Sequence, residues 1–406
     1  MTPFDAEPNG APPDFGDTDE ERPGMPRRAF LARVGGTGAA LGAATLGYRA
    51  VDQGVFATGT GTAYAPWADF ADRSGLEALV AGAILAANAH NSQPWSFDVQ
   101  PDRIDVIADR SRLLGAIDPL TRESVVSLGC AIENLALTAR AEGFAPQLTY
   151  QPDRSQPDWA ARITLVAAPA DRSDLYRMIP DRHTNRSGYT STRIDPGLLE
   201  DIAGLGELDG VKVRWLMGSD ADRYGELLVA ATETLIADPE QSAASAEWFR
   251  HSWDEIQARR DGITLDAQGM SILRTAIAKM LPAGSRERND NYWLMALRDT
   301  QVATAAAYGI VLVPDSAAAE SRLIGGRTLQ RIHLAATANG IALQHMNQIT
   351  ERADRELQLG LSPTFGDALE ELSGGDALQP LVAFRVGYSN REARPSPRRA
   401  VGDVIV

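Results

Sequence analysis

An α+β fold written as two unequal copies of one unit is what this sequence predicts, and three observations carry the prediction. The first is a repeat: Gly129, Leu137, Ala139, Ala141, Gly143 and Ala145 return as Gly326, Leu334, Ala336, Ala338, Gly340 and Ala342, a constant offset of 197 (340 − 143). The second is periodicity. Ile132, Leu135, Ala136 and Ala139 match Leu329, Ile332, His333 and Ala336 at i, i+3, i+4, i+7 spacing, the mark of one helix face. Each helix runs to a glycine suited to a left-handed C-terminal cap, Gly143 or Gly340, and leads into an expected strand near 147–150 or 341–344. The third is size. A chain of 406 residues, 44% hydrophobic and 23% charged, can bury two domain cores or a duplicated one.

In chain order, residues 1–24 are rich in Pro, Gly, Asp and Glu with little to bury, and read as a disordered acidic tail. Residues 25–48 place Arg27-Arg28-Ala29-Phe30-Leu31 before a mild apolar run from Val34 to Leu46, which resembles a twin-arginine export signal. A chance arginine pair before a Gly/Ala helix is the plain alternative. The run is shorter than the roughly 20 apolar residues a spanning helix needs. Gly35-Gly36-Thr37-Gly38 is no dinucleotide loop, because no strand precedes it and the third glycine is misplaced. Ala63-Tyr64-Ala65 has a small-x-small form, so an exported, released protein and an uncleaved anchor both remain open. Localisation is expected to be periplasmic, cell-envelope or membrane-anchored in a bacterium.

After a linker at 49–65, the first copy is expected over 66–175 and the second over 176–406. The first carries a strand at 95–99 and another at 103–108. The second carries a strand at 211–217, a helix at 221–237 and a buried strand at 381–388. Between them lies a helical insertion, about 239–300, whose apolar spacing (Trp248, Trp253, Ile256; Ile272, Ile277, Met280) suits either a lid or a packed helical pair. Asn289 to Trp293 echoes Asn91 to Trp95, but lacks Gln-Pro and sits in helical context.

The chemistry gathers at two stretches. At 84–99 an apolar helix (Ile84, Leu85, Ala86, Ala87) stops in a small-polar knot from Asn88 to Gln93. Pro94 breaks the helical backbone, and Trp95, Phe97 and Val99 alternate as a strand. Asn91, Ser92 and Gln93 thus cluster at a helix-to-strand junction, offering donors and acceptors to a flat heteroaromatic ligand beside an aromatic wall. A plain polar turn with Trp95 and Phe97 in the core accounts for the same residues. At 180–187, Arg182, Thr184 and Arg186 alternate, presenting two guanidinium groups and a hydroxyl to one anion. A solvated basic turn is the alternative there.

Composition narrows the rest. A net charge of −15 argues against nucleic-acid or anionic-membrane partners. Lysine is confined to Lys212 and Lys279, so any phosphate is expected on arginine forks. The single cysteine, Cys130, excludes an internal disulfide and reads as a small core residue. Five scattered histidines show no metal spacing, and only His90 and His183 fall within the candidate site. There is no nucleophile elbow and no P-loop.

The stretch Asn91-Ser92-Gln93-Pro94-Trp95 resembles the flavin-contacting motif of the FMN-dependent nitroreductase superfamily. Ile107-Ala-Asp-Arg-Ser-Arg112 and Asp118-Pro119 make the chain most similar to the Acg branch, from about Trp67 to the C-terminus. The stretch from Arg182 to Arg186, with His183, Thr184 and Asn185, resembles the Arg-x-Ser/Thr-x-Arg phosphate motif that opens such domains. Ser396-Pro397-Arg398-Arg399 resembles the C-terminal basic residues that close on the phosphate, with Arg398 favoured; a basic tail is the alternative. The resemblance implies an FMN-dependent oxidoreductase that passes electrons from a small-molecule donor to a nitroaromatic, quinone-like or other planar acceptor. It implies a ring site at residues 91–95, a phosphate site at Arg182, Thr184 and Arg186, and no catalytic side chain, because the chemistry belongs to the flavin. A fused duplicate implies a monomer with an internal pseudo-two-fold. Arg110, Arg112 and Arg122 are expected in ion pairs. The rival reading is a flavin-binding or flavin-sequestering protein with little turnover. Arg27 and Arg28 imply export machinery as a partner.

Overall fold

Two twenty-residue helices cross at the centre of the molecule, α2 (Arg122–Ala141) and α9 (Ala319–Ala338). They meet at glycine. A Cβ on Gly129 would stand 2.2 Å from the Leu323 carbonyl oxygen, and one on Gly326 would stand 2.2 Å from that of Val126. Only two residues without side chains let the backbones approach so closely. Gly129 and Gly326 are also 197 residues apart, the offset of the repeated sequence positions.

These relations come from a computed structural model that describes residues 47–208, 210–375 and 377–406. Arg49–Val406 form one unit. The acidic tail, Arg27 and Arg28 lie outside the described residues. Among those described, no helix is long and apolar enough to cross a membrane.

The chain forms two four-stranded antiparallel sheets. The first contains β1 (Trp95–Gln100), β2 (Arg103–Ala108), β3 (Phe144–Tyr150) and β4 (Trp159–Ala167), in the order β1-β2-β4-β3. The second contains β5 (Lys212–Leu216), β8 (Ala307–Val313), β9 (Ala342–His345) and β10 (Gln379–Gly387), in the order β5-β8-β10-β9. Both have their first and second strands joined on to the fourth, with the third at the edge. In both, the long helix sits between the second and third strands. The architecture is α+β.

The C-terminal arm crosses back to the first sheet, where the Phe97 amide donates to the Val404 carbonyl (2.8 Å) and the Val406 amide to that of Phe97 (3.0 Å). The insertion comprises α5 (Pro239–Ala246), a parallel pair of two-residue strands, β6 (Phe249–Arg250) and β7 (Ile263–Thr264), and helices α6 (Trp253–Arg259), α7 (Ile272–Met280) and α8 (Arg286–Ala296). The apolar spacing of α7 does not bury it: Ile272 is 79% exposed and Leu273 71%. Lys279 at its end is buried against Asp266 (2.7 Å) and donates to the Gly54 carbonyl (3.1 Å). That contact pins the insertion to the segment before the first copy.

Candidate functional site

Helix α1 (Gly75–Ile84) ends just before the small-polar knot, and the turn that follows is strained. His90, Asn91 and Gln93 have φ of 50°, 53° and 53°, a region that side chains other than glycine rarely adopt. Buried hydrogen bonds hold them there. Asn91 donates to the Gly262 (3.2 Å) and Pro397 (2.9 Å) carbonyls. Gln93 donates to the Arg260 carbonyl (2.8 Å) and accepts from the Arg399 amide (2.9 Å). Strain retained by so many partners is the pattern of a functional turn.

Three arginines, Arg182 and Arg398 buried and Arg186 half-buried, converge beside this turn. The Arg182 guanidinium donates to the Leu85 carbonyl (3.0 Å) and lies 3.3 Å from His333 Nδ1. Arg398 donates to Asn91 Oδ1 and to the Ala86 carbonyl (3.2 Å). Arg186 donates to the Ala267 carbonyl (3.2 Å). Arg398 and Arg182 lie over the Trp67 ring at 4.8 and 5.9 Å from its centre. Among the described residues none of the three is paired with a carboxylate. The Nε atoms of Arg182 and Arg398 and Nδ1 of His183 have no partner. Burial lowers Arg182 and Arg186 to about 10, and burial and then Arg182 lower Arg398 well below the ordinary value. Three desolvated cations without an acid are built to receive an anion.

The recess they wall is small, about 30 Å³, and includes Trp67, Asn91, His183 and Thr184 in its lining. That is room for roughly two water-sized groups. Ala87, Asn88, Thr184, Arg186 and Ile263 also wall a second cavity of about 690 Å³. This volume lies in the range of cofactor and ligand sites. One side is α1's end and the strained turn; another is Gln344, His345, Asn347 and Gln348, where β9 leads into α10 (Gln348–Leu359); a third is the insertion. Gln301 reaches in from a π-helical turn, Leu297–Val302, and accepts from Gln344 (3.0 Å). Arg385 fixes Gln344 from beneath (2.8 Å). Two of the cavity histidines are held neutral at pH 7: His90 is lowered to about 4 by burial and then Arg186, and His345 to about 3 by burial and then Arg182.

Arg182, His183, Thr184, Arg186, Asn91 and Arg398, all singled out in the sequence, line the recess together. Ser92, Gln93, Pro94, Trp95 and Asn185 line neither cavity. Trp95 is fully buried in the first core, Gln93 braces the turn, and Asn185 accepts from Ser187 and donates to the Arg391 carbonyl. The polar wall lies instead at Asn88 and His90, a few residues earlier. Arg110, Arg112 and Arg122 sit in ion pairs with Asp158, Asp261 and Asp354 at 2.6, 2.9 and 2.5 Å. The residues at 344–348 and Trp67 carried no sequence expectation. The glycine-capped helix leading into β9 was the signal that could have located the former.

The chain is 24% identical over 341 residues to a Mycobacterium tuberculosis protein provisionally named an NAD(P)H nitroreductase, covering 83% of this chain and 92% of that one. A second M. tuberculosis protein, named only as uncharacterized, is 25% identical over 350 residues, covering 81% of this chain and 92% of its own. Among solved structures, the FMN-dependent nitroreductase NfnB from Mycobacterium smegmatis in complex with NADPH overlaps 58% of this chain and 93% of its own, at 16% identity and a TM-score of 0.33. No family model matches the chain.

Proposed function

We propose that the chain is an FMN-dependent oxidoreductase of the nitroreductase type, Acg-like, reducing a planar acceptor such as a nitroaromatic or quinone. The observation that carries this reading is the set of three guanidinium groups, none paired with a carboxylate among the described residues, around a recess that shares Asn88, Thr184 and Arg186 with a cavity of about 690 Å³. Bound FMN would supply hydride transfer between a nicotinamide donor and the acceptor. Arg182, Arg186 and Arg398 would hold its phosphate, with the Thr184 hydroxyl beside them. The residues at 88–90 and 344–348 would border the ring, and the amides of Gln344, Asn347 and Gln348 offer donors and acceptors for its polar edge. The repeated strand order and the Gly129–Gly326 crossing support a fused duplicate, hence one chain per molecule and one flavin site.

The rival reading, flavin sequestration, draws on the insertion that walls the cavity and is pinned by the buried Lys279–Asp266 pair. One experiment separates the two. The purified full chain should be yellow, with one FMN per chain and the solution mass of a single chain. Mixed anaerobically with NADH or NADPH, it should lose its visible flavin absorption, and a quinone should restore it. Persistent colour under donor would support sequestration. A colourless chain that takes up no added FMN would sink both readings.

A further inference from the structure

We propose that Glu123 and Glu351 form an acid pair on the wall of the large cavity and give a proton to the oxygen of a neutral planar acceptor bound there. The proposal rests on the flavin reading above and adds to it the source of the proton. Glu123 stands in the first turn of α2, and Glu351 in the first turn of α10 (Gln348–Leu359), so each copy supplies one carboxyl. Both line the cavity that is walled on another side by Asn88, His90 and Arg186. They are 5% and 7% exposed, and hydrogen-bond to each other, with Asn347 also bonded to Glu123. Two carboxylates are both acceptors, so a bond between them requires a proton.

The surroundings keep it there. Asp118 accepts from the Glu123 amide (3.0 Å), the Ser124 amide (2.9 Å) and the Ser124 hydroxyl (2.8 Å). Asp354 takes both arms of Arg122, at 2.8 and 2.5 Å. Arg352 is turned away to Asp238 and Gln241, and Arg322 to the Leu120 and Ser316 carbonyls. Thus the neighbouring cations are engaged elsewhere, and the carboxylates of Asp118 and Asp354 face the pair. Burial first, and then these negative neighbours, raises Glu351 to about 8 and Glu123 well above the ordinary range. A second observation points to a ligand: Oε1 of Gln348, which lines the same cavity at 8% exposure, has no donor among the described residues.

With a quinone the balance closes. The nicotinamide donor supplies two electrons and one proton as hydride, through the flavin. The O–H bond of the pair breaks, a new O–H bond forms on the second quinone oxygen, and the hydroquinone leaves. The pair carries one more negative charge until solvent returns the proton. Acid groups neutral at pH 7 also favour uncharged acceptors over anions.

The test uses E351Q and E123Q in the full chain, since Gln keeps the shape and hydrogen bonding. Infrared spectra of the flavin-free wild type should show the carbonyl band of a protonated carboxylic acid at neutral pH, fading as pH rises past about 8. Each variant should weaken that band. With FMN bound, each should bind flavin and be bleached by NADPH as the wild type is, while kcat for quinone reduction falls at least about tenfold with KM little changed. The alkaline limb of the pH profile should vanish. Absence of the band, or a wild-type kcat and pH profile in the variant that folds, would overturn the acid pair and leave the flavin reading standing. Failure of the wild type to take up FMN would remove both.

Discussion

Arg398 is held from three directions, by Asn91, the Ala86 carbonyl and the Trp67 ring, yet its charge is answered by no acid. Carbonyls at a helix C-terminus carry partial negative charge, enough to orient a guanidinium but not to neutralise it. The same holds for Arg182 on the Leu85 carbonyl. A hydrogen bond to a charged group is worth about 1.5–3 kcal/mol net, and a tenfold affinity change is about 1.4 kcal/mol. Changing Arg182 and Arg186 together to Ala should therefore weaken FMN binding by roughly 100-fold or more, measured by equilibrium dialysis, without the loss of helix content that misfolding would cause. Full FMN retention would show the phosphate to be elsewhere. The cationic half of this site was legible because alternation of Arg182, Thr184 and Arg186 puts like groups on one side. The ring half was displaced for a physical reason: Trp95, Phe97 and Gln93 are drawn into core packing and bracing, leaving the shorter Asn88 and strained His90 to face the cavity.

At the scale of elements, the helix crossing reverses an ordinary preference. Inside an isolated helix, glycine costs up to about 1 kcal/mol relative to alanine, so G129A should stabilise. At the crossing the added methyl meets the Leu323 carbonyl at 2.2 Å, and backbone cannot swing aside as a side chain can. Overpacking of this kind costs about 1–3 kcal/mol or more, so the net effect is destabilising. G129A and G326A should each lower the urea midpoint by similar amounts, and the double variant should cost less than their sum, because one separation of the helices relieves both contacts. A neutral G129A would contradict the close approach. These two helices, their glycine caps and strands β1, β2, β3, β5, β9 and β10 all follow patterns visible in the sequence. β4 and β8 do not. Every residue of β8 is buried, so Ala307–Val313 lacks the alternation that marks a half-buried strand. The insertion was legible as helical, but the exposed face of α7 shows that apolar spacing alone does not reveal what a helix packs against.

For the whole molecule, two sets of buried groups pull stability in opposite directions with pH. His90 lies at about 4, His183 and His345 at about 3 and His333 well below its ordinary value, all from burial first, against about 6.5 when unfolded. Their stabilisation is complete above about 6.5 and is lost as pH falls toward the folded values, because the unfolded chain then binds protons that the native one excludes. Glu351, at about 8, and Glu123 behave oppositely. Their stabilisation is complete below about 4.5; that of Glu351 is lost as pH rises through about 8, and that of Glu123 as pH rises through its own raised value, because the native chain keeps protons that the unfolded one gives up. Each proton of difference changes stability by about 1.4 kcal/mol per pH unit. Between about 4.5 and 6.5 four histidines outweigh two carboxyls, so stability climbs; above 6.5 only the carboxyls remain, so it declines. The flavin-free chain should therefore be most stable near pH 6.5, read from urea midpoints at about pH 5, 6.5 and 8. In E351Q the decline above 6.5 should shrink, while the acid side stays as in the wild type. Stability that keeps rising from pH 6.5 to 8 in the wild type would mean that the two glutamates are ionised in the native cavity.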